Sequence, residues 1–144
     1  MQVEERLVKE ALHSVELEPG TGDAAWFAAR QPAVVRYLEG RCGRDDGLGI
    51  ALMAALAIHT AFERALGQPP PRLGPRALDE AEHAVVGEVR AGAGTFVGRQ
   101  PALCELVAGV VGDPPVPLGE EESARLGAAL LAVVVALDSA CAAG

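Results

Sequence analysis

The pattern of apolar positions along the chain is dominated by two helix-length stretches, residues 48–66 and 126–140. On a helical wheel, the large side chains of the first stretch point in almost every direction, which predicts a helix buried on all sides. The second stretch repeats the start of the first at an offset of 78 residues, because Leu48, Gly49, Ala51, Leu52 and Ala54 recur as Leu126, Gly127, Ala129, Leu130 and Ala132. We therefore expect two matched helices at the centre of the fold.

Shorter periodic stretches predict the helices that surround this centre. They cover residues 2–17, a short segment around Trp26 and Phe27, and residues 32–40, 76–90 and 101–111. Ala, Leu, Glu and Arg dominate these stretches, and β-branched residues rarely alternate with polar ones, so the pattern predicts an all-α fold. Residues 67–75 read GQPPPRLGP, which is too rich in proline for a helix and predicts an extended linker.

Two further motifs recur in the same order along the chain. Phe27-x-x-Arg30-Gln31-Pro32-Ala33 returns 69 residues later as Phe96-x-x-Arg99-Gln100-Pro101-Ala102, and Glu10, Ala11, His13 and Val15 return 70 residues later as Glu80, Ala81, His83 and Val85. The ordered recurrence predicts an internal duplication within a single domain, residues 1–144. Repeat 1 covers residues 1–66, the proline-rich linker 67–75 and repeat 2 residues 76–144. Each half has three main helices, and we expect a helical bundle around a pseudo-two-fold axis.

Charge and composition restrict the classes of partner. The formal net charge is −8 and Lys9 is the single lysine, whereas phosphate contacts need clustered basic residues, so we expect no nucleic acid. The uncharged windows, residues 47–62 and 126–137, are shorter than the roughly 20 apolar residues of a membrane span. The first residues lack the apolar core of a signal peptide, and three cysteines imply no disulfide framework. These features predict a cytoplasmic protein that binds a protein partner or itself.

A symmetric pair of Glu-x-x-His motifs is the main candidate for a metal site. Glu10-x-x-His13 and Glu80-x-x-His83 form part of the arrangement found in di-iron carboxylate bundles. Both histidines, however, lie about half a turn from the apolar stripe of their helix, and the further glutamates that such a site needs do not recur in the repeat. We interpret the four residues as solvated helix faces, with no metal and no other cofactor expected.

His59 lies inside the first central stretch and is predicted to be buried. With Glu63 one turn later it could form a pair that raises the pKa of the imidazole and does acid–base or binding work, whereas the commoner arrangement is a hydrogen-bonded structural histidine. Arg30 and Arg99 stand at matching places in the two halves. They could bind an acidic ligand or partner, but we expect each to tie its loop to a carboxylate or a helix C-terminus.

No nucleophile with a matched base, phosphate-cradling loop or metalloprotease spacing is present in the sequence. The sequence therefore predicts a non-enzymatic helical module for protein interaction or scaffolding. The alternative is a helical bundle that binds a small molecule or metal in the region around His59 and Glu63.

Overall fold

The structure, a computed structural model, describes residues 2–17, 22–43, 46–91, 99–114 and 117–143. Within these ranges α-helices are the regular secondary structure and no strand is present, which confirms the all-α prediction. The helices are α1 Glu5–Leu17, α2 Gly22–Arg30, α3 Pro32–Cys42, α4 Asp46–Leu66, α5 Pro75–Ala91, α6 Pro101–Gly112 and α7 Glu120–Ala143. Phe96, the first residue of the second Phe-x-x-Arg-Gln-Pro-Ala motif, lies outside the described residues.

Helices α4 and α7 form the centre of the bundle and pack against each other. Helix α1 lies along α4 and α5 lies along α7, and these are the two most extensive helix pairings. Helices α3 and α6 each contact both central helices. Every outer helix thus covers an apolar surface of the central pair, which neither central helix could hide from water by itself.

The middle of α4 is buried without interruption from Ala54 to His59. Its first turns are less enclosed than the wheel predicts, because Gly49 is exposed and Met53 is half-buried. In α7, residues 132–134 and 136–138 are buried, including the carboxylate residue Asp138. Small alanines recur through both helices and let their neighbours approach closely.

The outer helices begin and end for local reasons. Pro32 and Pro101 occupy first-turn positions of α3 and α6, where the missing N–H needs no partner. Helix α3 continues past Gly40 to Cys42 and stops at Gly43, whose φ of 76° is the left-handed conformation that glycine adopts readily. The first helix begins at Glu5 and not at residue 2, since the preceding segment is used in a tertiary contact described below.

The proline-rich segment between α4 and α5 is docked on the fold. Gly67, with φ 75°, ends α4 by donating its N–H to the carbonyl of Glu63, and the chain stays non-helical until Pro75 begins α5. Pro70 is buried and Leu73 is 4% exposed. The segment is non-helical, and Pro70 and Leu73 pack against the fold.

In the described part of the chain, two helical stretches, Gly47–Leu66 and Glu120–Ala142, are long and apolar enough to cross a membrane. The uncharged windows read from the sequence understated this length, because the helices continue through charged residues at their ends. Of the most apolar part of each stretch, 56% and 50% respectively is buried inside the protein. Buried core helices pass the same length and composition test, so this is weak evidence for a membrane span.

Candidate functional site

The side chain of Gln31 holds the proline-rich segment in place. Its Oε1 accepts a hydrogen bond from the backbone N–H of Leu73 at 2.8 Å, and its Nε2 donates to the carbonyl of Pro71 at 2.9 Å. The same Nε2 lies 3.4 Å from Nε2 of His59. Gln31 is fully buried, so these contacts replace water around an amide that would otherwise be costly to bury. We call this arrangement the Gln31 clamp.

Gln100 also binds a backbone amide outside the helices and a group on a central helix. Its Oε1 accepts from the backbone N–H of Val3 at 2.9 Å, in the segment that leads into α1. Its Nε2 donates to Oδ1 of Asp138 on α7 at 2.8 Å. Gln100 is 1% exposed and Val3 is fully buried. We call this arrangement the Gln100 clamp; it explains why the residues before Glu5 are not helical.

His59 is fully buried, as predicted, but its partner is not Glu63. Its ring packs edge-on against Trp26 and Phe27, with centroid distances of 5.5 Å and 5.2 Å. Burial, with the charge of Arg30 as a smaller contribution, lowers the pKa of His59 to about 4. Pairing with Glu63, the alternative by which this pKa would rise, is not present, and loss of hydration and the cation Arg30 both act to lower the pKa.

The geometry around His59 also assigns its tautomer. Because the amide nitrogen of Gln31 is a donor, Nε2 of the neutral imidazole must accept, and the proton is on Nδ1. That Nδ1 is buried and has no hydrogen-bond partner among the described residues. A neutral, enclosed imidazole of this kind is suited to holding helices together and is poorly placed to exchange protons with a substrate.

Glu63 lies one turn along α4 but faces a different space. It lines a cleft of about 330 Å³ together with Ser14, Trp26, Thr60 and Arg64. His59 and Glu63 are four residues apart and therefore lie on neighbouring parts of one helix. Different elements pack against the two side chains, so they do not form one site. His59 faces α2 and Gln31, and Glu63 is half-buried beside α1.

The two motif arginines have different partners. Arg99 forms an ion pair with Oδ2 of Asp138 at 2.7 Å, and the carboxylate belongs to its own half of the chain. Arg30 donates to the carbonyl of Pro70 at a long 3.4 Å. The carbonyls at the end of α2, which we expected Arg30 to hold, are instead bound by Arg72, at 3.0 Å to Arg30 O and 3.3 Å to Ala29 O.

The residues of the two Glu-x-x-His motifs are spread over helix surfaces. Both His13 and His83 are exposed, as the helical wheel predicts. Glu10 pairs with Arg6 at 3.1 Å and with Arg64 at 3.6 Å. Glu80 pairs with Arg76 at 3.1 Å. Within the described parts of the chain, no three histidine, cysteine, aspartate or glutamate side chains gather in a geometry that could hold a metal ion.

An apolar groove lies between α1 and α6, with Met53 of α4 at its floor. Its volume is about 480 Å³, and we call it the open groove. Its apolar lining comprises Val8, Leu12, Met53, Ala102, Leu106 and Val110. Four charged residues stand at its edges, Glu5, Lys9, Glu105 and Asp113. The groove therefore combines apolar walls with a charged rim, which is the general composition of a binding surface.

Helices α3 and α5 are linked by a polar cluster that we call the Tyr37 bridge. The hydroxyl of Tyr37 donates to Oε2 of Glu82 at 2.6 Å, and Arg41 donates to both oxygens of that carboxylate at 2.6 Å and 3.1 Å. The Arg41 guanidinium also lies 5.0 Å from the centre of the Tyr37 ring. The hydrogen bond from Arg41 is the main reason that the pKa of Glu82 is lowered.

The sequence has apolar residues at the three positions that the motif offsets relate to the Tyr37 bridge. By the offsets of 69 and 70 residues, Tyr37, Arg41 and Glu82 correspond to Leu106, Val110 and Leu12. All three polar residues of the bridge are thus apolar in the open groove. Sequence reasoning missed this difference, although an alignment of the two halves carries the signal.

No protein-family model, curated protein or solved structure matches the chain.

Proposed function

We propose that the chain is a non-enzymatic interaction module built from two duplicated helical halves, and that the open groove binds a segment of a partner protein. The duplication is supported by the two clamps. Gln31 and Gln100 are 69 residues apart, and the amides that they hold, Leu73 and Val3, are 70 residues apart. Equivalent side chains therefore bind equivalent points of the chain, as expected if the halves are related by a pseudo-two-fold axis.

The buried polar groups support a non-catalytic role. Gln31 accepts a hydrogen bond from the backbone N–H of Leu73, and Gln100 donates one to Asp138. Asp138 also forms an ion pair with Arg99. Burial also raises the pKa of the Cys42, Cys104 and Cys141 thiols, which makes each a poor nucleophile near neutral pH. Because the two glutamines and Asp138 are buried and bonded within the fold, a substrate cannot reach them.

One observation carries the proposed binding function: the open groove has apolar side chains at the three positions that the motif offsets relate to the Tyr37 bridge. Leaving such a groove unfilled loses the stabilisation that a packed or hydrogen-bonded neighbour would supply. Leu12 and Val110 are half-buried and Leu106 is 7% exposed, and all three line the same groove. A partner side chain inserted between α1 and α6 would cover these three side chains.

The matched glycines Gly109 and Gly40 provide a direct test. Gly109 lines the open groove and Gly40 is its counterpart on α3, and a Cβ at either position meets no other atom within 4 Å. A photoreactive phenylalanine derivative is placed at each position and irradiated in cells of the source organism. We expect a discrete adduct from position 109 and none from position 40. Equal labelling from both, or no adduct from position 109, would contradict a binding role of the groove.

The alternative function is binding of a small molecule near His59. The specific observation in its favour is that two buried nitrogens, Nδ1 of His59 and Nε of Arg30, have no hydrogen-bond partner among the described residues. Both are donors, so the ligand would have to supply an acceptor oxygen. Native mass spectrometry and elemental analysis of the purified protein test this alternative, since a retained organic molecule or a stoichiometric metal would favour it over a protein partner.

A further inference from the structure

The rim of the open groove has an excess of negative charge. Glu5, Glu105 and Asp113 are acidic, and Lys9 is the single cation among the four charged residues that line the groove. Lys9 is paired with Glu5 at 3.0 Å, and the pKa of Lys9 is raised by Glu5 and, to a smaller extent, by the charge of Glu105. Glu105 and Asp113 are exposed on the α6 side and lie at the edge of the apolar walls. A ligand that enters the groove therefore meets an apolar floor and a net acidic edge.

The shape of the groove favours a helical ligand. Its walls are two helices, α1 and α6, and its volume is about 480 Å³. An amphipathic helix offers apolar anchors at positions i, i+3, i+4 and i+7, which suit a groove of this kind. The residues that flank those anchors then lie next to the charged rim of the groove.

Charge distinguishes the possible occupants. A second copy of this chain would bring a net charge of −8 and a similar acidic rim, so self-association through this groove is opposed by repulsion. The same charge opposes adsorption on anionic lipid. A segment with lysine or arginine beside its apolar face is instead attracted to Glu105 and Asp113.

We propose that the open groove binds a basic amphipathic helix of a different protein, whose apolar residues pack on Leu12, Leu106 and Val110 while its basic residues pair with Glu105 and Asp113. This inference rests on the proposed function and adds the chemistry of the partner.

The test compares two pools of synthetic helical peptides of about 16 residues, long enough to form a helix with four anchors. Both pools carry mixed leucine, isoleucine, phenylalanine and methionine at the anchors. They differ only at the flanking positions, which are lysine in one pool and glutamate in the other. Binding is measured by fluorescence anisotropy at low and at near-physiological salt. We expect the lysine pool to bind at least about tenfold more tightly than the glutamate pool.

A groove-closing variant provides the matched control. Leu12→Glu, Leu106→Tyr and Val110→Arg together install the residues of the Tyr37 bridge and leave the net charge of the protein unchanged. Attraction of a basic peptide to the acidic surface in general is therefore preserved, while the apolar groove is lost. We expect this variant to bind the lysine pool at least about tenfold more weakly than the unmodified protein. Unchanged affinity in a folded variant would overturn the proposal.

A second variant does not depend on repacking. Glu105→Gln with Asp113→Asn changes two exposed side chains, and we expect it to reduce the preference for the lysine pool to about threefold or less. An unchanged preference would overturn the role of the rim.

The photoreactive Gly109 variant separates this inference from the function on which it rests. An adduct to another protein, combined with no preference for the lysine pool, would leave the binding role standing and overturn the basic helix. An adduct of twice the mass of the chain would show that a second copy is the occupant, which also overturns it. Binding of anionic lipid vesicles in preference to the lysine pool would have the same consequence.

Discussion

Replacing the clamp glutamines by methionine should weaken the fold without changing its shape. Methionine has nearly the size of glutamine but neither of its hydrogen-bonding groups. In Gln31→Met, the buried N–H of Leu73 loses its acceptor, which costs about 1 to 3 kcal/mol, while the carbonyl of Pro71 lies at an exposed residue and can bind water. We expect a loss of about 2 kcal/mol in the free energy of unfolding.

Gln100→Met should cost at least as much. The N–H of Val3 is left buried, and Asp138 loses a hydrogen bond to its carboxylate, which is usually stronger than a bond between neutral groups. Because Arg99 still pairs with Asp138, the carboxylate keeps its cation, and we expect a loss of about 3 kcal/mol in the free energy of unfolding.

Urea unfolding followed by circular dichroism measures both losses. With a slope of about 2 kcal/mol per molar urea, the midpoints should fall by about 1 to 1.5 M. The control is Gln68→Met, at an exposed glutamine, which should change the stability by no more than about 0.5 kcal/mol. Hydrogen exchange adds a local signature, because each clamp variant should accelerate exchange of its own amide, Leu73 or Val3. Clamp variants as stable as the control would refute the reasoning.

The remaining predictions concern one histidine and two arginines. The folded pKa of His59, about 4, is below the value of about 6.5 in an unfolded chain, so the unfolded state binds the proton more readily; stability is complete above about pH 6.5 and is lost as the pH falls towards 4. This histidine should account for a loss of about 2 kcal/mol in the free energy of unfolding between pH 7 and pH 5. Measured by urea unfolding, that loss should be absent in His59→Leu and present in the exposed-site control His13→Gln. Arg99→Ala should cost about 1 to 2 kcal/mol because it leaves a nearly buried Asp138 without its cation, whereas Arg30→Ala, which removes one long hydrogen bond, should cost less than about 1 kcal/mol. A greater loss in the Arg30 variant, measured by the same unfolding assay, would contradict the assigned contacts.

The positions of the helices could be predicted from the sequence because they depend on periodicity and on local stop signals. The exception at the end of α3 is instructive. Gly40 ended the predicted helix, yet it lies within the observed helix, and Gly43 with its positive φ is the actual stop. A glycine inside a helix costs only about 1 kcal/mol, so its presence alone does not decide where the helix ends.

The partners of polar residues were harder to predict than their burial. The apolar window around His59 correctly placed it in the core, but its neighbour in space, Gln31, is 28 residues away in the chain. The same is true of Arg72, which binds the end of α2 from more than 40 residues away. Spacing along a helix constrains which side chains share a face, and it contains no information about which distant segment packs on that face.

The two clamps suggest why the surfaces of the two proposed halves could diverge while the fold stayed the same. Gln31 lies in the first half and holds the segment that leads into α5, whereas Gln100 lies in the second half and holds the segment that leads into α1. Each proposed half thus supplies the buried hydrogen-bond acceptor for an amide that leads into the other half. Losing either clamp would leave that amide without its acceptor and so destabilise the fold. The Tyr37 bridge has no such reciprocal role, since its three residues contact one another between α3 and α5. Its counterpart could become apolar without disturbing either clamp, and in the proposed duplicated module this independence is what leaves one groove available for a partner.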